Sequence, residues 1–102
     1  MIEITEHASE RLKERNGLTK SSQDRITEKV LRNGIRHGDT SGQLKRWVDR
    51  LYLTGKRANN IRLYGDKAYL FRDATLITVL QIPNRLQPAV NKISKRKRCV
   101  NE

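Results

Sequence analysis

IRLYGDKAYLFRDATLITVLQI, residues 61–82, has the pattern of a β-meander. IRLY (61–64) alternates apolar and polar side chains, Gly65-Asp66 supplies a two-residue turn, and KAYLF (67–71) resumes the strand pattern, so a hairpin is predicted. Asp73-Ala74 makes the next turn. TLITVLQI (75–82) is rich in β-branched residues and stops at Pro83. Both of its faces are largely apolar, which predicts a central strand covered by helices on one side of the sheet. The other side is expected to be at least partly wet. It would carry residues such as Arg62 with Tyr64 or Leu63, as a platform for RNA bases and phosphates or as an ordinary solvated face.

Outward from the meander the pattern is helical. TEHASERLKERN (5–16) opens on Thr5, a capping residue, and ends before Gly17, which suits the left-handed position after a helix. Its apolar side is narrow, Ala8 and Leu12, with His7, Arg11 and Arg15 in a row beside it. A second helix is predicted from Ser21 or Ser22, with Asp24 completing an approximate capping box, to Gly34, burying Ile26 and Val30. IRHGDTSGQ (35–43) is a loop carrying Arg36 and His37. Leu44, Trp47, Val48 and Leu51 recur at helical spacing and predict a third helix over 43–54, with Trp47 and Tyr52 assigned to its core side.

The expected architecture is therefore α+β, with two to three N-terminal helices on one face of a twisted antiparallel meander of three to four strands. Residues 1–83 form a single domain in this reading. Residues 84–102 have few apolar residues and no clear period, and are expected to be a short extension and a mobile basic tail.

The chain has 102 residues, 22 Lys and Arg against 11 Asp and Glu, and a net charge of +11. Five cations and one carboxylate lie beyond residue 86, so the preceding part keeps +7 and is itself basic. Such a molecule attracts polyanions, which makes nucleic acid, RNA favoured over DNA, the expected partner. No run is long enough to span a membrane and the N-terminus lacks a signal-peptide stretch, so no membrane partner and a cytoplasmic location are expected. The single Cys99 and the absence of Cys-x-x-Cys and His-x-x-x-His argue against disulfide, zinc-finger and thiol-redox classes, and no metal or cofactor is expected. Phosphate-loop, Gly-x-Ser-x-Gly and paired-carboxylate motifs are also missing, which removes NTP hydrolysis, esterase and glycosidase readings.

The order of these features resembles small phage- and plasmid-associated proteins near the RelE, barnase and colicin-type ribonuclease superfamily. The residues that carry the resemblance are His7, Ala8, Arg11, Leu12 and Arg15, then Gly34, then Asn60, Ile61, Arg62, Tyr64, Tyr69, Phe71 and Leu76 to Val79. It spans residues 2–83, and the Trp47 helix is an insertion relative to that pattern. The resemblance implies two helices on a twisted antiparallel sheet, a substrate cleft across the sheet, and ribonuclease-toxin activity in a superfamily many of whose members have lost cleavage. A toxin implies a neutralising antitoxin. The second reading is a non-enzymatic mobile-element protein that binds host nucleic acid or a host nucleoprotein and inhibits or regulates it.

Metal-independent RNA cleavage needs a base for the 2′-hydroxyl, an acid for the departing 5′-oxygen, and cations for the phosphate. His7 and His37, the only histidines, are the catalytic candidates, because imidazole ordinarily titrates near about pH 6.5. Arg11, Arg15, Arg36, Lys45, Arg46 and Arg62 are expected to contact phosphate, with Lys95, Arg96, Lys97 and Arg98 as a further basic cluster. For Arg11 and Arg15 the competing expectation is pairing with Glu6, Glu10 or Glu14 along the helix.

Overall fold

The computed structural model describes residues 3–17, 19–54 and 58–100. The elements run β1 (Glu3–Ile4), α1 (Glu6–Asn16), α2 (Lys20–Asn33), α3 (Gly42–Thr54), β2 (Asn60–Tyr64), β3 (Lys67–Arg72), β4 (Thr75–Gln81) and α4 (Gln87–Val100). Short 3-10 turns, His37–Asp39 and Asn84–Leu86, precede α3 and α4. The chain is α+β, and the meander forms as its sequence predicts.

The sheet order is β1-β4-β3-β2. The meander is antiparallel, but β1 pairs with β4 in parallel, through Glu3 with Thr75 and Ile4 with Leu76, so the sheet is mixed. Gly65, at φ 61°, takes the left-handed position that the two-residue hairpin turn requires. Between β3 and β4 the register shifts: Leu70 faces Thr78 while Phe71 faces Leu76, leaving Ile77 as the extra residue of a bulge. The Ile77 carbonyl is used at once, accepting from Thr5 Oγ1 at 3.2 Å. Thr5 Oγ1 in turn accepts from the Ala8 amide at 3.1 Å, capping α1 as the sequence predicts. One hydroxyl thereby fixes the start of α1 to the bulge. Gly17, at φ 64°, closes α1. α2 starts earlier than its serines predict: Thr19 holds the cap position, and Ser21 and Ser22 lie inside the helix.

Strand alternation divides the core in two. Tyr69, Phe71, Leu76 and Val79 face Ala8 and Leu12 of α1 and Val30 of α2. Ile61, Leu63, Ala68 and Leu70 face Leu44 and Val48 of α3 together with Leu86 and Val90. Helices therefore cover both faces of the sheet, which corrects the expectation of one wet face. The reason is in KAYLF: both parities are apolar, and β3 is buried on both sides from Lys67 to Phe71. The two helices on the first face are joined by a polar contact, Ser9 Oγ donating to Gln23 Oε1 at 2.7 Å.

The segment beyond residue 83 is a second correction. α4 occupies Gln87–Val100, where a mobile tail is expected from composition. Leu86 and Val90 are buried, and Ala89 and Ile93 pack beside them, giving an apolar stripe at helical spacing amid basic residues. Pro88 falls in the first turn, where a helix tolerates it.

Candidate active site

The outer edge of β2 is where α3 and the loop after α2 converge. Ile35 exchanges two backbone hydrogen bonds with Leu63, at 2.8 and 3.0 Å, so the loop begins as a one-residue extension of the sheet. Gly34 makes this approach possible: a Cβ there would lie 2.4 Å from the Val30 carbonyl oxygen and 3.0 Å from Arg62 Cβ. Next to Leu63 along that edge, the Ile61 amide donates to the Tyr52 hydroxyl at 2.9 Å, bringing the C-terminal half of α3 to the same place.

The loop then tightens into the 3-10 turn that holds His37. The Arg36 amide donates to Asp39 Oδ2 at 3.1 Å, and Thr40 Oγ1 donates to the His37 carbonyl at 2.6 Å. With both ends of the turn tied, the His37 ring is directed onto α3, where Nε2 meets Asp49 Oδ1. The ring also stands edge-on to Tyr52, with centroids 5.3 Å apart and planes at 73°. An ionised carboxylate only accepts hydrogen bonds, so Nε2 carries the proton and Nδ1 presents its lone pair. Nδ1 has no partner among the described residues. The side chains of His37 and Asp49 are 37% and 47% exposed. A hydrogen bond to a carboxylate that open to water adds at most about 1 kcal/mol to folding, whereas its exposure leaves it reachable by a substrate.

Arg62 supplies the cation. Its Nε donates to Asn60 Oδ1 at 2.9 Å, while Nη1 is buried without a hydrogen-bond partner. Burial, and then the nearby Arg36 charge, pull this guanidinium below its ordinary pKa, with Tyr52 and Asp39 acting in the opposite direction. Arg62 remains charged, as arginine does in proteins. A buried N–H with no acceptor costs about 1–3 kcal/mol.

The structure thus groups Arg36, His37 and Arg62 from the sequence-predicted set, and adds Asp49 and Tyr52. Sequence reasoning missed Asp49 as a functional residue: it lies twelve positions from His37, with no local spacing to mark the pair. His7 is exposed in the first turn of α1, in the layer on the other side of the sheet from α3, so the two histidines do not share a site. Arg11 reaches Glu14 at 3.8 Å, the helical pairing anticipated for it. Lys45 and Arg46 are exposed on α3, and Lys95 is exposed on α4. The side chains of Arg15, Arg96, Lys97 and Arg98 lie outside the described residues. Tyr64, which the wet-face reading offers to RNA, packs in the α1–α2 layer of the core beside Tyr69.

Among the described residues no group of three or more His, Cys, Asp and Glu is arranged to hold a metal ion, and no helix is long and apolar enough to cross a membrane. No protein-family model, curated protein or solved structure matches the chain.

Proposed function

We propose that the protein binds RNA and cleaves it without a metal, with His37 as the base. The observation that carries this reading is the His37–Asp49 pair against Tyr52, with Arg62 of the adjoining β2 edge in electrostatic reach of Arg36, Asp39 and Tyr52. A protonated Nε2 on Asp49 leaves Nδ1 to remove the 2′-hydroxyl proton. The 2′-oxygen then attacks phosphorus, and the bond to the 5′-oxygen breaks, yielding a 2′,3′-cyclic phosphate and a 5′-hydroxyl. Asp49 stabilises the imidazolium that forms, as a carboxylate does for any histidine base it orients. Arg62 and Arg36 bear the charge that develops on the non-bridging oxygens. The leaving oxygen needs a proton. Tyr52 accepts from Ile61 without spending its own O–H, and its contact with the His37 ring makes it the group we assign as acid.

The net charge of +11 supports a polyanionic substrate. The resemblance to ribonuclease toxins supports the same chemistry, and with it an antitoxin as partner. The test is incubation of purified protein with transfer RNA and total cellular RNA in EDTA, followed by end-group analysis. Fragments ending in 2′,3′-cyclic phosphate are expected. Intact RNA with retained binding would instead favour the non-enzymatic nucleic-acid-binding reading.

A further inference from the structure

A second basic feature lies on α3, facing away from the sheet. Gln43, Arg46, Trp47 and Arg50 of α3 and Arg85 of the turn before α4 line an open cavity of about 210 Å³. The lining residues contain three arginines and no carboxylate. Arg46 and Arg85 reach the cavity from two different elements, so two exposed guanidinium groups converge on it. Trp47 forms part of the wall and also packs on the core beneath α3, so an aromatic surface anchored in the core shares the cavity with the arginines. Cations around a fixed aromatic surface are the components with which proteins hold single-stranded nucleic acid: stacking on the ring, phosphates on the arginines.

The position also fits. Arg46 precedes Asp49 by three residues, and side chains so spaced are neighbours on a helix surface, about 5–6 Å apart at Cβ. The exposed side of α3 therefore runs from the His37–Asp49 pair through Arg46 to this cavity.

We infer that the cavity is a nucleotide subsite for single-stranded RNA, stacking one base on Trp47 and holding the adjoining phosphate with Arg46 and Arg85. This rests on the RNA reading above, and it adds that the strand crosses the outer surface of α3 instead of running over the sheet. Gln43, with an amide that both donates and accepts, is the residue placed to contact the base edge.

Trp47 is the chain's single tryptophan, so its fluorescence reports the subsite directly. The test uses the full-length His37→Ala protein, to keep the RNA intact, and a fluorescein-labelled single-stranded RNA of about ten nucleotides. Anisotropy of the label measures binding anywhere on the protein, and Trp47 emission measures binding at the cavity. Quenching of Trp47 in step with the anisotropy is expected. Arg46→Gln combined with Arg85→Gln, both at exposed positions, should weaken binding about tenfold or more and reduce the slope of log K against log salt by about two. A normal rise in anisotropy with unchanged Trp47 emission, and a double variant that binds like its parent, would overturn the subsite while leaving RNA binding intact. No anisotropy change with any RNA would remove the RNA reading and the subsite together.

Discussion

The His37 imidazole and the Asp49 carboxylate meet across a separation of twelve residues, with Nε2 on the carboxylate and the ring edge against Tyr52. This contact joins the loop after α2 to the solvent side of α3. Asp49→Asn keeps the shape but not the charge that supports an imidazolium. Cleavage should fall about 100-fold, a typical general-base contribution, with RNA affinity held within about twofold. Single-turnover rates at saturating protein separate the two quantities.

Arg62 predicts an opposition between stability and binding. Its Nη1 is buried and unpartnered, so Arg62→Met removes a polar group that folding leaves unsatisfied while keeping much of the stem's packing. Urea denaturation should show unchanged or increased stability, by up to about 1 kcal/mol, alongside RNA binding weakened about tenfold or more. A variant that loses stability and keeps its affinity would show that Arg62 serves the fold.

Gly34→Ala should be costly for reasons of space. The backbone is extended there, at φ −64°, but the new methyl would sit 2.4 Å from the Val30 carbonyl oxygen. Helix end or β2 edge must move, at an expected loss of about 2 kcal/mol or more. Gly65→Ala meets no atom within 4 Å and suffers only from its positive φ, so about 1 kcal/mol is expected. Chemical denaturation of both variants gives the comparison.

The segment after Pro83 is part of the core, and Leu86→Ala, in the turn that leads into α4, should destabilise by about 2–4 kcal/mol because the side chain is 2% exposed. Equilibrium unfolding measures this directly. Stability equal to wild type would return the segment to the status of a tail.

Asp66 governs part of the acid response. Lys67 Nζ donates to its Oδ1 at 2.8 Å, and this bond, aided by Gln81 and opposed by burial, holds the carboxyl below its ordinary value. A lowered carboxyl contributes stability in full above the unfolded value, about 3.9, and loses it as the pH falls through the folded value. Asp66→Asn should therefore cost about 0.5 kcal/mol at neutral pH, the scale of an exposed pair, and nothing at about pH 2. Thermal unfolding across that range provides the check.

The parts legible in the sequence are those whose causes are local. Thr5, Gly17 and Gly65 mark their cap and turns because backbone geometry at one position favours few residues, and KAYLF marks a strand by composition alone. β1 is only two residues long and exists through its pairing with Thr75 and Leu76, so nothing in Glu3-Ile4 announces it. α4 is obscured because its basic residues outweigh the spacing of Leu86, Ala89, Val90 and Ile93. In the candidate site, Arg36, His37 and Arg62 could be selected as residue types suited to phosphate chemistry. Their company could not, since Asp49 reaches His37, and Tyr52 reaches Ile61, only once α3 has packed beside β2. His7 has the same chemistry as His37, but among the described residues no carboxylate is paired with it, a distinction made by tertiary structure alone.

The central claim is tested most directly by the rate of transfer RNA cleavage in EDTA for the wild-type protein, His37→Ala and His7→Ala side by side. Wild type and His7→Ala should cleave at rates within about threefold of each other, while His37→Ala should lose about 100-fold or more. Cleavage that survives His37→Ala, or no cleavage by the wild-type protein, would contradict a ribonuclease built on the His37–Asp49 pair.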